Sequence, residues 1–195
     1  GLSRSNVKLP KFLRFCKTCR ENDLLKYGET YWCRSHQLAG VLVCPEHGER
    51  LIDTNALMQP WGFREYIDAT RATADPRSEN IDDTLIDQEA AVALKVAICC
   101  REILHGPVLQ WPKEDLRLAY RQAAMERGFT KGPITLSHSE IEKAFVTYYG
   151  DLLSKLGCEV QAGVDYNWIR IILRDPTRRN FHPVHNALFQ VFLES

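Results

Sequence analysis

Residues 13–51 read LRFCKTCRENDLLKYGETYWCRSHQLAGVLVCPEHGERL, and three doublets of metal-binding side chains punctuate them. Cys16-Lys17-Thr18-Cys19 is a C-x2-C pair, Cys33-Arg34-Ser35-His36 a C-x2-H pair, and Cys44-Pro45-Glu46-His47 a second C-x2-H pair. Two intervening residues let one tight turn aim both side chains at a single ion, which is the spacing structural zinc sites use. Zinc takes four ligands, so two tetrads compete: Cys16/Cys19/Cys33/His36 and Cys16/Cys19/Cys44/His47. The second is preferred. Pro45 presets φ inside its turn, and Gly48 directly after the last ligand lets the backbone bend back through positive φ. Four protein ligands close the coordination sphere, so the expected Zn2+ is structural and leaves no vertex for an activated water.

Around this stretch the chain is ordinary for a folded protein: 195 residues, 45% apolar and 26% charged, which excludes wholesale disorder. Basic and acidic residues balance at 25 each, against a protein that coats an anionic polymer or membrane by bulk charge. No run of 18 apolar residues occurs, so no helical membrane span is expected, and residues 1–6 do not make a secretory signal. The missing initial Met leads us to expect a fragment of a longer chain. Seven cysteines is an odd count and poor evidence for a disulfide framework. Cys99, Cys100 and Cys158 read as packing residues, since a buried free Cys behaves as a small hydrophobe.

The neutral total hides a gradient. Residues 1–52 carry 9 basic and 5 acidic side chains, residues 53–106 carry 5 and 10, and residues 107–195 carry 11 and 10. Arg4, Lys8, Lys11, Arg14, Lys17 and Arg20 all precede the first acid, Glu21. Such an arm can neutralise phosphates, with Lys11 and Arg14 as candidate contacts; a solvated leader is the alternative.

The expected fold is mainly α: a small zinc-stabilised module over residues 1–72, a linker over 73–84, and a helical domain over 85–195. Trp61, Phe63 and Tyr66 suggest that 53–71 packs on the metal module, and the polar, Pro-broken run 73–80 reads as the linker. Ala90–Leu104, apolar on nearly every face, predicts a central helix. Leu116, Ala119, Tyr120, Ala123 and Ala124 follow helical spacing behind Pro112, with Gly128 as the stop. Ile141, Ala144, Phe145, Tyr148, Leu152 and Leu156 make one stripe ended by Gly157, entered by a capping box at Ser137/Glu140 or Ser139/Glu142. Trp168, Ile171 and Ile172 predict a short helix, and Val184, Ala187, Leu188, Val191 and Phe192 another behind Pro183. Strands are expected to be short and near the metal.

A helix-turn-helix joins its helices by about 3–4 residues. The candidate pair here, 113–127 and 138–156, is separated by more, so only a variant with an inserted turn fits. His138 and Lys143 would then stand near the leading turn, where base contacts arise. Arg170, Arg174, Arg178, Arg179, His182 and His185 form the densest late basic cluster, and Arg174, Arg178 and Arg179 are its candidate phosphate contacts. For Arg117 and Arg121 internal pairing is the safer reading, and for His182 and His185 helix capping and packing. No H-E-x-x-H, G-x-S-x-G or phosphate-cradling glycine loop is present, which argues against a hydrolase.

The run Cys16-x-x-Cys19, Asp23, Tyr27-Gly28-Glu29-Thr30-Tyr31-Trp32, His36-Gln37-Leu38-Ala39-Gly40-Val41 and Cys44-Pro45-Glu46-His47-Gly48 resembles the TniQ family of bacterial transposition proteins, which includes the TnsD-type target selectors. Ala39 stands where the family usually has Pro, and Cys33 is an additional thiol. A looser resemblance to the C-terminal half of TnsD-type proteins runs through Arg127-Gly128-Phe129, Tyr148-Tyr149-Gly150 and His182-Pro183-Val184-His185. The resemblance implies a non-enzymatic, cytoplasmic, DNA-binding selector that recognises an attachment site and recruits a regulator ATPase and, through it, a transposase. It equally leaves open an adaptor that docks a transposition regulator or an RNA-guided effector complex without touching DNA.

Overall fold

Phe12–Phe15 forms strand β1, which runs antiparallel to β2 (Ile52–Leu57) and pairs Arg14 with Asp53 and Phe15 with Ile52. The register slips between Phe12 and Arg14. There the fully buried Thr54 donates its hydroxyl to the Leu13 carbonyl at 2.7 Å, so that carbonyl is satisfied within the bulge. The computed structural model describes residues 7, 9–58, 67–75, 87–106, 113–160, 167–174 and 182–195. It divides into two compact units, Lys8–Leu104 and His105–Ser195 with Gly1–Val7.

In the first unit, helix α1 (Lys17–Tyr27) follows β1 directly, and a single 3-10 turn (Arg34–Gln37) leads to the second half of the metal site. No residue of α1 is buried, and Leu25 is 87% exposed. The helix is held instead by Arg20, whose guanidinium donates to the carbonyls of Ala72 (3.0 Å) and Thr70 (3.1 Å), and by Cys19. Residues Thr73 and Asp75, expected to open a linker, are tied to β2: Asn55 N–H donates to Thr73 O, and Asp75 N–H to Asp53 O. The rest of that linker and the aromatic residues 61, 63 and 66 lie outside the described residues.

Helix α2 (Asp87–His105) was expected to open the helical domain, yet all but its last residue belongs to the first unit. Arg101 pairs with Glu46, and Leu94 approaches to 3.6 Å of the space a side chain on Gly48 would take. Nor is it buried on every face. Ala93, Val96, Ala97, Cys99 and Cys100 are covered, while Ile103 is exposed.

The second unit is built from α3 (Lys113–Glu126), a hairpin of β3 (Thr130–Gly132) and β4 (Thr135–Leu136), α4 (His138–Tyr149), α5 (Leu152–Leu156), α6 (Trp168–Arg174) and α7 (Pro183–Leu193). Its central helix is α7, which buries seven side chains including Leu188, Phe189 and Phe192. Fully buried Phe145 of α4 meets Trp168 and Phe192 edge-on, each at 5.3 Å between ring centroids. Burying such a ring contributes about 2–3 kcal/mol, and edge-on pairs about 0.5–1.5 kcal/mol more.

Two expectations change here. The stripe over 138–156 is two helices, because Gly150 (φ 51°, ψ −132°) leaves helical geometry and restarts the chain as α5. Neither proposed capping box forms: Ser137 is the N-cap residue but makes no side-chain cap bond, and Glu142 is committed elsewhere. What separates α3 from α4 is the β3–β4 hairpin, so strands are not confined to the metal's neighbourhood.

Candidate metal centre

Two backbone turns build the cage. Cys16 is the N-cap of α1 in extended geometry, and its carbonyl accepts from Arg20 N–H, so the first helical turn carries Cys19 back toward Cys16. The second turn lies between the paired residues Val43 and Arg50. Cys44 N–H donates to Glu49 O at 2.6 Å and Gly48 N–H to Cys44 O at 2.8 Å, with Gly48 at φ 70° as the spacing demands.

The ligand atoms of Cys16, Cys19, Cys44 and His47 all lie within 4.8 Å of one another. His47 Nδ1 is 3.5, 3.3 and 3.6 Å from the sulfurs of Cys16, Cys19 and Cys44, and the Cys19 and Cys44 sulfurs are 3.7 Å apart. With Zn–S about 2.3 Å and Zn–N about 2.0–2.1 Å, tetrahedral vertices stand about 3.8 Å apart for two sulfurs and about 3.6 Å for sulfur and nitrogen. The donor set and its dimensions fit Zn2+.

The cage is poorly suited to stand without a cation. Burial raises the Cys16 thiol to about 12, helped by Glu49 and Cys44 and opposed by the Cys19 backbone N–H. Cys19 is also raised, by burial first and then by Cys44 and Cys16. Thiols so placed stay protonated at neutral pH until a divalent ion supplies the missing charge and displaces their protons. Glu49 holds the first turn from outside: it accepts from Thr18 N–H at 3.2 Å and Thr18 Oγ1 at 2.5 Å, bonds that hold its carboxyl below the usual range.

Cys33 is exposed, its sulfur 3.3 Å from Ser35 Oγ. His36 is buried beside the cage; burial, with Arg14 and His47, pushes its imidazole down to about 4. The competing tetrad is therefore not assembled.

Arg14 is a correction. Expected on a phosphate-binding arm, it is only 8% exposed, and its guanidinium donates to Val41 O at 2.7 Å and Leu38 O at 2.9 Å. Gln37 closes the same clamp, accepting from Arg14 N–H at 2.9 Å and donating to Arg14 O at 2.8 Å. Together they lace the 37–41 turn onto β1. Burial lowers the Arg14 guanidinium to about 10, still protonated at neutral pH. Sequence reasoning missed this clamp; the Gln directly after His36 was its one local signal.

The other candidate contacts divide between the two units. Lys11 is exposed, its ammonium 5.2 Å from the Phe12 ring centroid. In the second unit Lys143 and Arg174 are exposed. His138 is half-buried, and burial followed by the charges of Arg174, Arg170 and Arg121 keeps it below its ordinary pKa. Arg178 and Arg179 lie outside the described residues. Arg170, read as part of the late basic cluster, is internal: its Nε and Nη2 donate to the buried Glu142 carboxylate, the latter at 3.2 Å. Arg121 donates to Leu173 O at 3.3 Å. His182 caps α7 by accepting from Val184 N–H at 3.3 Å, and His185 stacks on Trp168 at 4.5 Å, as expected of packing residues.

The family model described as Tn7-like transposition protein D (TnsD) matches residues 96–195, and that for TniQ matches residues 1–51. The chain belongs to the TnsD family. The TniQ match contains all four cage residues, and the TnsD match contains nearly all of the second unit. Over 201 aligned residues the chain is 25% identical to the Transposon Tn7 transposition protein TnsD of Escherichia coli, covering 99% of this chain and 37% of that protein. The chain thus spans a little over a third of the TnsD relative's length. Among the described residues no helix is long and apolar enough to cross a membrane.

Proposed function

We propose that this chain is a non-catalytic, DNA-binding target selector of a Tn7-like transposition system, working in the bacterial cytoplasm beside a regulator ATPase and a transposase. The observation that carries this reading is the TnsD match over residues 96–195, together with the TniQ match over the metal cage. Zinc held by Cys16, Cys19, Cys44 and His47 has no free vertex, so it supplies structure and no Lewis-acid step. The cage residues bind; Arg14, Gln37 and Glu49 orient the two turns. Duplex contact falls to the exposed cations Lys11, Lys143 and Arg174, to His138, and to Arg178 and Arg179.

A mobility-shift series on duplex DNA across salt concentrations tests this. Pairwise removal of Arg178 and Arg179, or of Lys143 and Arg174, lowers the slope of log K against log salt by roughly 0.9 for each phosphate no longer neutralised. Slopes unchanged in every variant overturn the assignment of these cations, and no binding by the intact chain overturns direct DNA recognition. One observation favours the adaptor reading: Leu24, Leu25, Tyr27 and Tyr31 are exposed together on and just after α1. Capture of a transposition regulator or ribonucleoprotein without any DNA affinity would establish it.

A further inference from the structure

His36 is the residue the metal cage leaves unexplained. It is only 2% exposed, and its Nε2 lies 3.4 Å from Cys44 Sγ and 3.9 Å from Cys19 Sγ. The other donors, all within 4.8 Å of one another and with His47 Nδ1 at zinc-sized spacings from three sulfurs, already supply four tetrahedral vertices, so His36 has no vertex to occupy. Its position is nonetheless fixed. Its backbone N–H donates to Cys33 O at 3.2 Å, and its neighbour Gln37 donates to the same carbonyl at 3.1 Å while pairing with both backbone groups of Arg14. A buried imidazole clamped this firmly against two sulfurs must present them with either a lone pair or an N–H.

Three thiolates, one neutral imidazole and Zn2+ sum to one net negative charge, concentrated on sulfur. A lone pair facing Cys44 and Cys19 would be repelled; an N–H would form charge-assisted hydrogen bonds. Groups that bond to metal ligands from outside fix their orientation, and removing them costs about 10–100-fold in affinity.

Resting on the zinc reading above, we propose that His36 is a positioning residue of the metal centre, donating its Nε2–H to the Cys44 and Cys19 thiolates. By withdrawing charge from those sulfurs it slows their attack by protons, chelators and electrophiles. The effect falls on cage lifetime and sulfur reactivity, and zinc stoichiometry stays at one per chain.

Two measurements on the intact zinc-loaded chain test this. Long-range nitrogen–proton correlation spectra report the tautomer directly: the Nε2–H form of His36 is expected, and the Nδ1–H form overturns the proposal without any variant. Transfer of zinc to a chromogenic chelator is then timed for wild type, His36→Gln and His36→Leu. All three are expected to hold one zinc. His36→Leu should release it at least tenfold faster, and His36→Gln, whose amide still donates, should fall between. In the cobalt-substituted proteins the sulfur-to-metal charge-transfer band should move in His36→Leu and largely return in His36→Gln. Equal release rates and an unmoved band overturn the role. So does loss of stoichiometric zinc in His36→Leu with retention in His47→Ala, which would make His36 a ligand. A wild-type chain that binds neither zinc nor cobalt instead defeats the zinc reading itself.

Discussion

Replacing Arg170 by Met leaves Glu142 with a carboxylate that is 1% exposed, to which Asn167 Nδ2 still donates at 2.8 Å. Breaking a buried ion pair by removing one partner typically costs about 3–5 kcal/mol. A ceiling follows from proton linkage. Rather than stay charged, Glu142 can take up a proton, and holding a carboxyl of ordinary pKa about 4.3 neutral at pH 7 costs about 3.7 kcal/mol. The expected loss is therefore about 3–4 kcal/mol, a large part of a domain's stability. It also carries a sign. Folded Arg170→Met binds a proton that its unfolded chain releases, so lowering the pH from 7 to 5 should shrink the gap to wild type by about 1.4 kcal/mol per unit. The assay is urea denaturation followed by far-ultraviolet circular dichroism at pH 7, 6 and 5, on wild type, Arg170→Met and Glu142→Met/Arg170→Met. The double variant, with no charge left to strand, should regain most of the loss. A double variant no better than the single, or a gap independent of pH, would refute the reasoning.

Cys44→Ser should lose bound zinc and the circular-dichroism signal of α1, whereas Cys33→Ser, altering an exposed thiol outside the cage, should keep one zinc per chain by elemental analysis. Burial, with a smaller push from His182, holds His185 down to about 4. The second unit should therefore be fully stable above pH 6.5 and lose about 3 kcal/mol as the pH falls to 4; in His185→Phe, which keeps a ring against Trp168, that part of the pH dependence should vanish from denaturation curves. Arg14→Met should lower the first unit's melting temperature with no change in the salt slope of DNA binding, while Arg174→Met should do the opposite.

How far the sequence could be read depends on how local each interaction is. The cage was legible because its ligands come in doublets within single turns, and Gly48 marks one of those turns. Helices α3 and α7 were legible because each carries apolar residues at helical spacing, although Ala119 of α3 is exposed; α6 was legible as a helix, but of Trp168, Ile171 and Ile172 only Ile172 is buried, beside Ile169 and Leu173. What escaped reading was partnership across distance. Nothing near Arg14 says that its guanidinium will meet two carbonyls in the 37–41 turn, and nothing near Arg170 names Glu142. Counted as charges, both look like surface cations, yet each guanidinium donates within the fold: Arg14 to two carbonyls and Arg170 to the Glu142 carboxylate. The break at Gly150 escaped because the apolar stripe continues across it, and hydrophobic period alone does not register one residue leaving helical φ. The β3–β4 hairpin could have been found: Gly132-Pro133 is a turn signal between alternating residues.

This distinction between charge and availability bears on the proposed contact with DNA. Of the late basic cluster, Arg170 is internal and His182 and His185 serve α7, so among the described residues only Arg174 of that group is exposed. In the first unit Arg14 and Arg20 are bound to carbonyls. Each arginine diverted into the chain's own architecture is one fewer to neutralise phosphate. Under the proposed function, recognition would depend on where the remaining cations are held. The proposed metal would place α1, which buries no residue of its own and is fastened by Cys19 at one point and Arg20 at the next. A helix anchored through a metal ligand keeps its apolar side chains outward, and Leu25 and Tyr27 remain available on a surface that a hydrophobic anchor would have consumed.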